Sequence, residues 1–237
     1  AQTAYPDSPV EHHKAWKEMI HRYFAGTLGL IILAIFVLGW RARKEIEVSP
    51  WLPTLLLFLV IFQAMLGMWT VTLLLKPVVV TAHLLGGMST LAVLTWMMHR
   101  HWGVASRRFL QSSNLRFWIR GSLAIIFMQI FLGGWTSTNY AALACTDFPT
   151  CHGAWLPDMD FANAFHWIRE LGQDANGKAL QLSAFTAIQW THRVGALVTF
   201  IYLGLLGWRL LTQPQLKGLA HIMLMLLIVQ IGLGVAN

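Results

Sequence analysis

Three histidines in apolar stretches of the sequence are the residues best suited to chemistry. His21 and His192 each precede an arginine, in the motifs EMIHRYFAG and QWTHRVGAL, and His83 lies in the motif TAHLLGGM. Ionisable side chains inside apolar segments are energetically costly and usually functional. Neutral imidazole is a common ligand of haem iron, and helix bundles often bind a cofactor with one histidine from each of two helices. We therefore predict that these histidines bind the iron of a porphyrin.

Each histidine also has a simpler interpretation, in which the ring only hydrogen-bonds a carbonyl group of a neighbouring helix. For one histidine alone, the two interpretations are equally good. Three histidines at a similar depth, two of them in matching motifs, favour a cofactor site. Four glycines close to them would let a flat macrocycle or another helix approach: Gly26, Gly86, Gly87 and Gly195.

A carboxylate accompanies only one of the two matching motifs. Glu18 precedes His21 by three residues, so both side chains lie on one helix face, whereas Gln189 holds that position before His192. A carboxylate beside a ligand can transfer protons. We therefore predict chemistry in the half with Glu18 and a fixed cofactor in the other half. The alternative is a glutamate that simply lies in interfacial water.

Two arginines directly follow the matching histidines. Arg22 and Arg193 could neutralise the propionate groups of a haem through charge-assisted hydrogen bonds. In the competing interpretation, each arginine extends towards lipid headgroups.

The only two cysteines lie close together, in CTDFPTCHG. The spacing of Cys145 and Cys151 and the proline between them are typical of a small disulfide loop. A metal site that includes His152 is the weaker alternative because other ligands are lacking. Whether the disulfide is structural or redox-active is open at this stage.

Membrane-spanning helices must position these residues. Hydrophobic residues make up 56% of the 237 residues and charged residues only 11%, against about 25% charged in a soluble domain. This composition excludes a disordered chain, a nucleic-acid-binding protein and a secreted disulfide scaffold. A span needs about 20 apolar residues. The sequence predicts an all-α integral membrane protein with six spans, at residues 19–40, 51–75, 78–98, 117–137, 182–208 and 216–236.

Basic residues predict the orientation of these spans, because cytoplasmic loops are enriched in Lys and Arg. Nine basic residues lie on one side and five on the other. The nine are Arg41, Arg43, Lys44, Arg100, Arg107, Arg108, Arg116, Arg209 and Lys217. We therefore expect a protein of the bacterial inner membrane, with both termini and the long loop at 138–181 on the outer side of that membrane. The cysteines would then lie on an oxidising side.

A repeat indicates a duplicated bundle. His21 and His192 are 171 residues apart, and the motif Gln-x-x-Leu-Gly recurs with Gln63 and Gln230 167 residues apart. A third copy begins at Gln129. The sequence therefore predicts two half-bundles, residues 1–116 and 117–237, from a four-plus-four arrangement. By this repeat, we expect the chain to lack one span at each end.

Four motifs, in this order, resemble those of the haem A synthase family over nearly the whole chain: EMIHRYFAGTLG, TAHLLGGM, GGWTSTNYAALACTDFPTC and QWTHRVGAL. The resemblance implies an eight-span bundle of two four-helix halves. It also implies oxidation of a methyl group of haem O to a formyl group, which yields haem A for cytochrome oxidase. The family's first and last spans have no match in this sequence, so the activity of this chain alone is left open.

The resemblance also assigns roles to the candidate residues. His21 and His83 match the ligands of the substrate haem O, and Glu18 matches the family's essential glutamate. His192 matches the first ligand of a haem b cofactor, whose second ligand lies in the last span. The implied partners are the membrane, haem O synthase and cytochrome oxidase assembly factors. A homo-oligomer is left open, and no nucleic-acid partner is expected.

Two other functions compete with this hypothesis. A non-catalytic di-haem b-type electron-transfer protein would need the same histidines but no glutamate. A transporter built from repeats would have helices broken near mid-membrane. The prolines instead lie at the edges of spans, at Pro53, Pro77 and Pro214, so the transporter ranks last.

Overall fold

Long helices dominate the structure of the chain. The computed structural model describes residues 12–45, 49–101 and 113–236. Within these ranges, six helices are long and apolar enough to cross a membrane, and no β-strand forms. The helices are α1 (His12–Arg41), α2 (Trp51–Thr72), α3 (Pro77–His101), α4 (Ser113–Thr138), α5 (Phe161–Ala164), α6 (Leu182–Leu211) and α7 (Lys217–Ala236). All but the short α5 are candidate spans, so the predicted all-α integral membrane fold with six spans is confirmed.

The helix ends differ from the prediction where polar residues or a turn intervene. Helix α1 begins at His12 rather than at residue 19, because the helix continues into polar sequence. Helix α2 ends at Thr72 rather than at residue 75. The backbone of Leu74 and Leu75 takes positive φ angles there, and Pro77 then starts α3. Proline suits a first helical position because the N–H that it lacks would have no partner within the helix.

The described residues form two compact units. The first comprises the described parts of 12–65 and 88–101, and the second comprises 66–87 and 113–236. Both boundaries fall inside helices α2 and α3, so the turn between these helices belongs to the second unit. The predicted division into half-bundles at residue 116 stays a prediction. Arg107 and Arg108, which contributed to the predicted orientation, lie outside the described residues.

The first unit is fixed where α1 meets α2. The indole Nε1 of Trp40 donates a hydrogen bond to Oγ1 of Thr54, at 2.9 Å. The Trp40 ring also meets the Trp51 ring edge-on, with 5.7 Å between their centroids. Ile32 in α1 and Leu56 in α2 are fully buried.

Helix α6 is the central element of the second unit. It has nine buried residues, more than any other helix in the described part of the chain. One buried cluster surrounds Trp135 and Ile188 near the start of α6, and a second surrounds Leu206 and Ala220 near its end. Because α6 is packed along its length, a side chain on it has a well-defined environment.

The long loop, residues 139–181, folds against the start of α6 and the end of α4. Arg169 is buried in it and donates hydrogen bonds to Oδ1 of Asn139, at 2.6 Å, and to the carbonyl oxygen of Gln173, at 3.1 Å. Burial lowers the pKa of this guanidinium. Lys76, in the turn between α2 and α3, pairs with Glu170 at 2.8 Å. The loop is therefore an ordered part of the second unit.

Candidate functional site

His192 lies in the third turn of α6, half-buried against α4. A methyl group at Gly133 of α4 would lie 3.2 Å from Cε1 of His192. The imidazole ring therefore lies directly against the backbone of α4, and the absence of a side chain at Gly133 makes room for it.

Gln129, one turn before Gly133, contacts the same histidine. Its amide Nε2 lies 3.1 Å from Nδ1 of His192 and donates to the carbonyl oxygen of His192 at 3.3 Å. A methyl group at Gly195 of α6 would clash with Oε1 of Gln129. The packing is therefore reciprocal: each helix contributes one polar side chain, and each provides a glycine that leaves space for the other's side chain.

His83, on α3, has a similar setting in the second unit. A methyl group at Gly67 of α2 would lie 3.2 Å from Cε1 of His83. Gly67 and Gly133 occupy the same position of the Gln-x-x-Leu-Gly motif. In two copies of the motif, the glycine thus lies beneath an imidazole ring.

Helix α4 also lies close to α3. A methyl group at Gly134 would lie 2.8 Å from Cδ2 of Leu84 and 3.3 Å from Cγ2 of Thr81. The hydroxyl groups of Thr81 and Thr138 are 3.3 Å apart. The adjacent glycines of α4 thus let α3 and α6, the helices that carry His83 and His192, approach closely.

Arg193 binds the backbone of the disulfide loop. Its Nη1 donates to the carbonyl oxygens of Asp147 and Thr150, both at 2.8 Å, and its Nη2 donates to that of Cys145 at 3.0 Å. The structure contains the predicted disulfide between Cys145 and Cys151, and this prediction is confirmed. Both Nη atoms of Arg193 bind the loop in this structure. The propionate contact predicted for Arg193 stays a prediction.

Asp147 organises the same loop from within. Its carboxylate accepts hydrogen bonds from the hydroxyl of Thr150 and from the backbone N–H groups of Gly153 and His152. These donors, led by Thr150, lower the pKa of Asp147 from 3.8 to about 2. The side-chain and backbone hydrogen bonds stabilise the ionised form.

Two further contacts hold this loop beside α6. Nε2 of His152 lies 3.2 Å from Oγ1 of Thr186, and the indole of Trp190 donates to the carbonyl oxygen of Trp155 at 2.9 Å. Thr186 and Trp190 precede His192 by less than two turns, so the loop covers the start of the helix that carries this histidine.

The motif in α1 belongs to the first unit and looks different. Nη2 of Arg22 donates to Oε1 of Glu18 at 2.6 Å, one helical turn away, and about half of each side chain is exposed. The imidazole of His21 is exposed. The structure thus confirms that Glu18 and His21 lie on neighbouring positions of one helix, and it shows the partner of the carboxylate.

The donor set fits a haem better than a bare metal ion. In the described ranges, no cluster of three or more His, Cys, Asp or Glu side chains could hold a metal ion. A porphyrin supplies four nitrogen ligands itself, so one or two imidazoles complete the coordination of its iron. Single, well-packed imidazoles such as His83 and His192 meet that requirement.

Gln129 is the residue whose position the sequence did not reveal. Gln129 begins one copy of the Gln-x-x-Leu-Gly motif, but the motif alone predicts no role for its side chain. The available signal was the spacing: a glutamine and a glycine one turn apart lie on one helix face, which can receive a ring from a neighbouring helix.

Comparison with known proteins places the chain in a family. The profile of COX15-CtaA, described as "Cytochrome oxidase assembly protein", matches residues 1–237. The chain is similar to the "Heme A synthase" of Shewanella oneidensis, with 42% identity over the whole chain and 71% of the relative. It is 24% identical to the "Heme A synthase" of Halalkalibacterium halodurans, over 74% of the chain and 59% of the relative. The match to the protein of the same name from Shouchella clausii is 25% identical and covers 60% of the chain and 48% of the relative. The chain therefore belongs to the COX15-CtaA family of cytochrome oxidase assembly proteins.

Proposed function

We propose that this protein is a haem A synthase, which oxidises a methyl group of haem O to the formyl group of haem A. The observation that carries the proposal is the 42% identity to a heme A synthase across the whole chain. The histidines lying against glycines of neighbouring helices support it, because they are suited to binding a porphyrin. The relatives' shared name does not favour the rival di-haem electron-transfer protein.

The proposed ligands of the substrate haem O are His21 and His83, an assignment that rests on the resemblance of their motifs. Glu18 is the proposed acid–base group. Nη2 of Arg22 donates a hydrogen bond to Oε1 of Glu18 at 2.6 Å, and Glu18 lies three residues before His21 in the same helix. A carboxylate so placed can accept protons that leave the substrate or stabilise developing positive charge.

The overall change at the methyl carbon is a four-electron oxidation with addition of one oxygen atom. Two successive two-electron steps would give a hydroxymethyl group and then a geminal diol, which loses water to leave the aldehyde. Relative to the methyl group and one water molecule, the aldehyde has lost four protons and four electrons, and an electron acceptor outside this chain must take up the electrons. Glu18 is the side chain of this chain proposed to take up such protons.

We propose that His192 holds a haem b cofactor, which when bound would supply one-electron transfer. The packing against Gly133 and the contact with Gln129 fix the ring. Arg193 contributes by holding the disulfide loop over the start of α6. The proposed orientation places this loop and both termini on the non-cytoplasmic face, and a haem O synthase is the proposed supplier of substrate.

Substitution of Glu18 tests the proposed chemistry. We expect Glu18→Ala, in cells that supply haem O, to abolish haem A formation while the helical protein still accumulates. Pigment extraction and chromatography would measure haem O, haem A and hydroxylated intermediates. The matched control is Glu45→Ala, at an exposed position between α1 and α2. Unchanged haem A in Glu18→Ala would refute the role of Glu18, and haem b as the sole pigment of the unmodified protein would favour the electron-transfer protein.

A further inference from the structure

The environment of His192 distinguishes the two nitrogens of its ring. Gln129 occupies the Nδ1 edge, where its amide Nε2 lies 3.1 Å away. A neutral imidazole carries a proton on one nitrogen and a lone pair on the other. Iron needs the lone pair, and Nδ1 is covered by Gln129. Nε2 is therefore the nitrogen that can reach iron.

The position of the proton must change when Nε2 binds a metal. With the amide in this orientation, Nε2 of Gln129 is the donor and Nδ1 of His192 the acceptor, and this arrangement requires the ring proton on Nε2. Ligation through Nε2 requires the proton on Nδ1, with an acceptor facing it. Histidines that bind metals almost always donate their other N–H to such an outer partner.

The amide of Gln129 can supply this acceptor without moving its backbone. Its Oε1 is buried, has no hydrogen-bond partner among the described residues and lies beside Gly195. Rotation of the amide would bring Oε1 to Nδ1, and the one bond lost besides that to the ring is the 3.3 Å bond to the carbonyl oxygen of His192. A glutamine can serve both states because its amide has a donor and an acceptor.

We propose that Gln129 is a positioning residue for His192: it directs Nε2 towards haem iron and reverses its amide to accept the Nδ1 proton when haem binds. The inference rests on the proposed role of His192 as a haem ligand. It adds an outer partner and a coupling between the amide orientation and cofactor binding.

The haem-free protein provides the first test. With 15N-labelled histidine, the ring-nitrogen shifts report which nitrogen carries the proton, and the His192 signal is the one absent from His192→Gln. We expect the Nε2–H form in the unmodified protein and a mixture of both forms in Gln129→Leu. Glutamate only accepts when ionised, so Gln129→Glu should give the Nδ1–H form. Gln215→Leu, at an exposed position before α7, should behave as the unmodified protein.

Haem titration of the same variants provides the second test. Loss of an outer partner typically lowers metal affinity about 10–100-fold, so we expect this loss for Gln129→Leu. Gln129→Glu retains an acceptor and should restore affinity to within a few-fold. The electron paramagnetic resonance spectrum of the ferric haem should shift in both variants, because the partner of Nδ1 changes. Glutamate has the shape of glutamine, so it would also rescue a purely packing role; that role, however, would leave the ring-nitrogen shifts and the resonance spectrum of Gln129→Glu unchanged.

The outcomes separate this inference from the proposed function. If His192→Gln loses haem b while Gln129→Leu keeps the unmodified affinity and the Nε2–H form, the role of Gln129 is overturned and the function stands. If His192→Gln keeps full haem b affinity, the proposed ligand is wrong and the coupling fails with it. If both variants lose affinity, and Gln129→Glu restores it and shows the Nδ1–H form, the inference is supported; restored affinity with unchanged ring-nitrogen shifts would overturn it in favour of packing.

Discussion

The same dipeptide, His-Arg, occurs in α1 and in α6, yet the two arginines are engaged differently. Arg193 in α6 reaches three carbonyl oxygens of the disulfide loop. Arg22 in α1 reaches back one turn to the carboxylate of Glu18. One arginine therefore fixes a distant chain segment, and the other forms a local ion pair.

The neighbours of each histidine explain much of the difference. Three residues after His192 the chain has Gly195, which leaves space for Gln129. The residue corresponding to Gly195 in α1 is Phe24, whose side chain is exposed. A phenylalanine there cannot receive a glutamine from a neighbouring helix in the same manner. The two copies of the His-Arg motif thus have different surroundings, one packed and one more open.

The largest expected effect is that of removing the arginine from the packed site. Arg193→Ala deletes three hydrogen bonds from a charged donor, and we expect a loss of about 2–4 kcal/mol in the free energy of unfolding. Arg22→Ala deletes an exposed ion pair and should change it by less than about 1 kcal/mol. Titration with a denaturing detergent in micelles would measure both. Equal losses for the two variants would contradict the contrast between the two sites.

A second prediction concerns Gly195, the glycine of the motif in α6 whose counterpart in α1 is Phe24. A methyl group at Gly195 would clash with Oε1 of Gln129 and lie 2.7 Å from Cδ1 of Leu132. We therefore expect Gly195→Ala to destabilise the protein by about 1–3 kcal/mol through overpacking, despite the higher helix propensity of alanine.

Gly204 is the matched control for this substitution, because it lies in the same helix and a methyl group there meets no atom within 4 Å among the described residues. Gly204→Ala should be neutral or stabilising by up to about 1 kcal/mol. The same titration with a denaturing detergent in micelles would measure both variants. A stable Gly195→Ala variant would show that the packing of Gln129 adapts easily.

Much of the fold could be predicted from the sequence because span length and hydropathy are local properties. Six apolar stretches of sufficient length gave six helices, and the close pair Cys145 and Cys151 gave the disulfide. The end of α2 was misplaced because the three residues that follow Thr72 are leucines, which give no polar signal where the helix ends. The helical extension of α1 to His12 was missed because the apolar criterion cannot detect polar helix.

The contacts of the candidate site could not be predicted because they join distant segments. His192 meets Gln129, 63 residues earlier, and Arg193 meets carbonyl groups more than 40 residues earlier. Backbone carbonyls are present at every residue, so nothing in the sequence marks the ones that Arg193 binds. Its predicted propionate contact followed from charge alone, whereas its partners depend on how the loop folds.

A third prediction concerns the disulfide loop, which Arg193 binds at the packed site. The pKa of Asp147 is lowered to about 2, so its contribution to loop stability is present above pH 3.8 and is lost as the pH falls through about 2. We expect proteolysis of the disulfide loop in lipid nanodiscs to accelerate over this range. In Asp147→Asn, the loop should be sensitive at all pH values and show little further change. Identical pH profiles for the two proteins would contradict the role of the carboxylate.

The smallest expected effect tests whether the Gln-x-x-Leu-Gly motif that begins at Gln230 behaves like the packed copies that begin at Gln63 and Gln129. At Gly133 a methyl group would press on His192 at 3.2 Å, so alanine there should weaken the fold by about 1 kcal/mol and reduce haem b affinity. At Gly234 of α7 a methyl group meets no atom within 4 Å in the described part of this chain, and Gln230 is exposed. Gly234→Ala should therefore leave both the melting temperature and the haem affinity of this chain within error. A loss as large as that of Gly133→Ala would mean that the glycine acts through the helix itself, because the imidazole contact that distinguishes Gly133 is absent at Gly234.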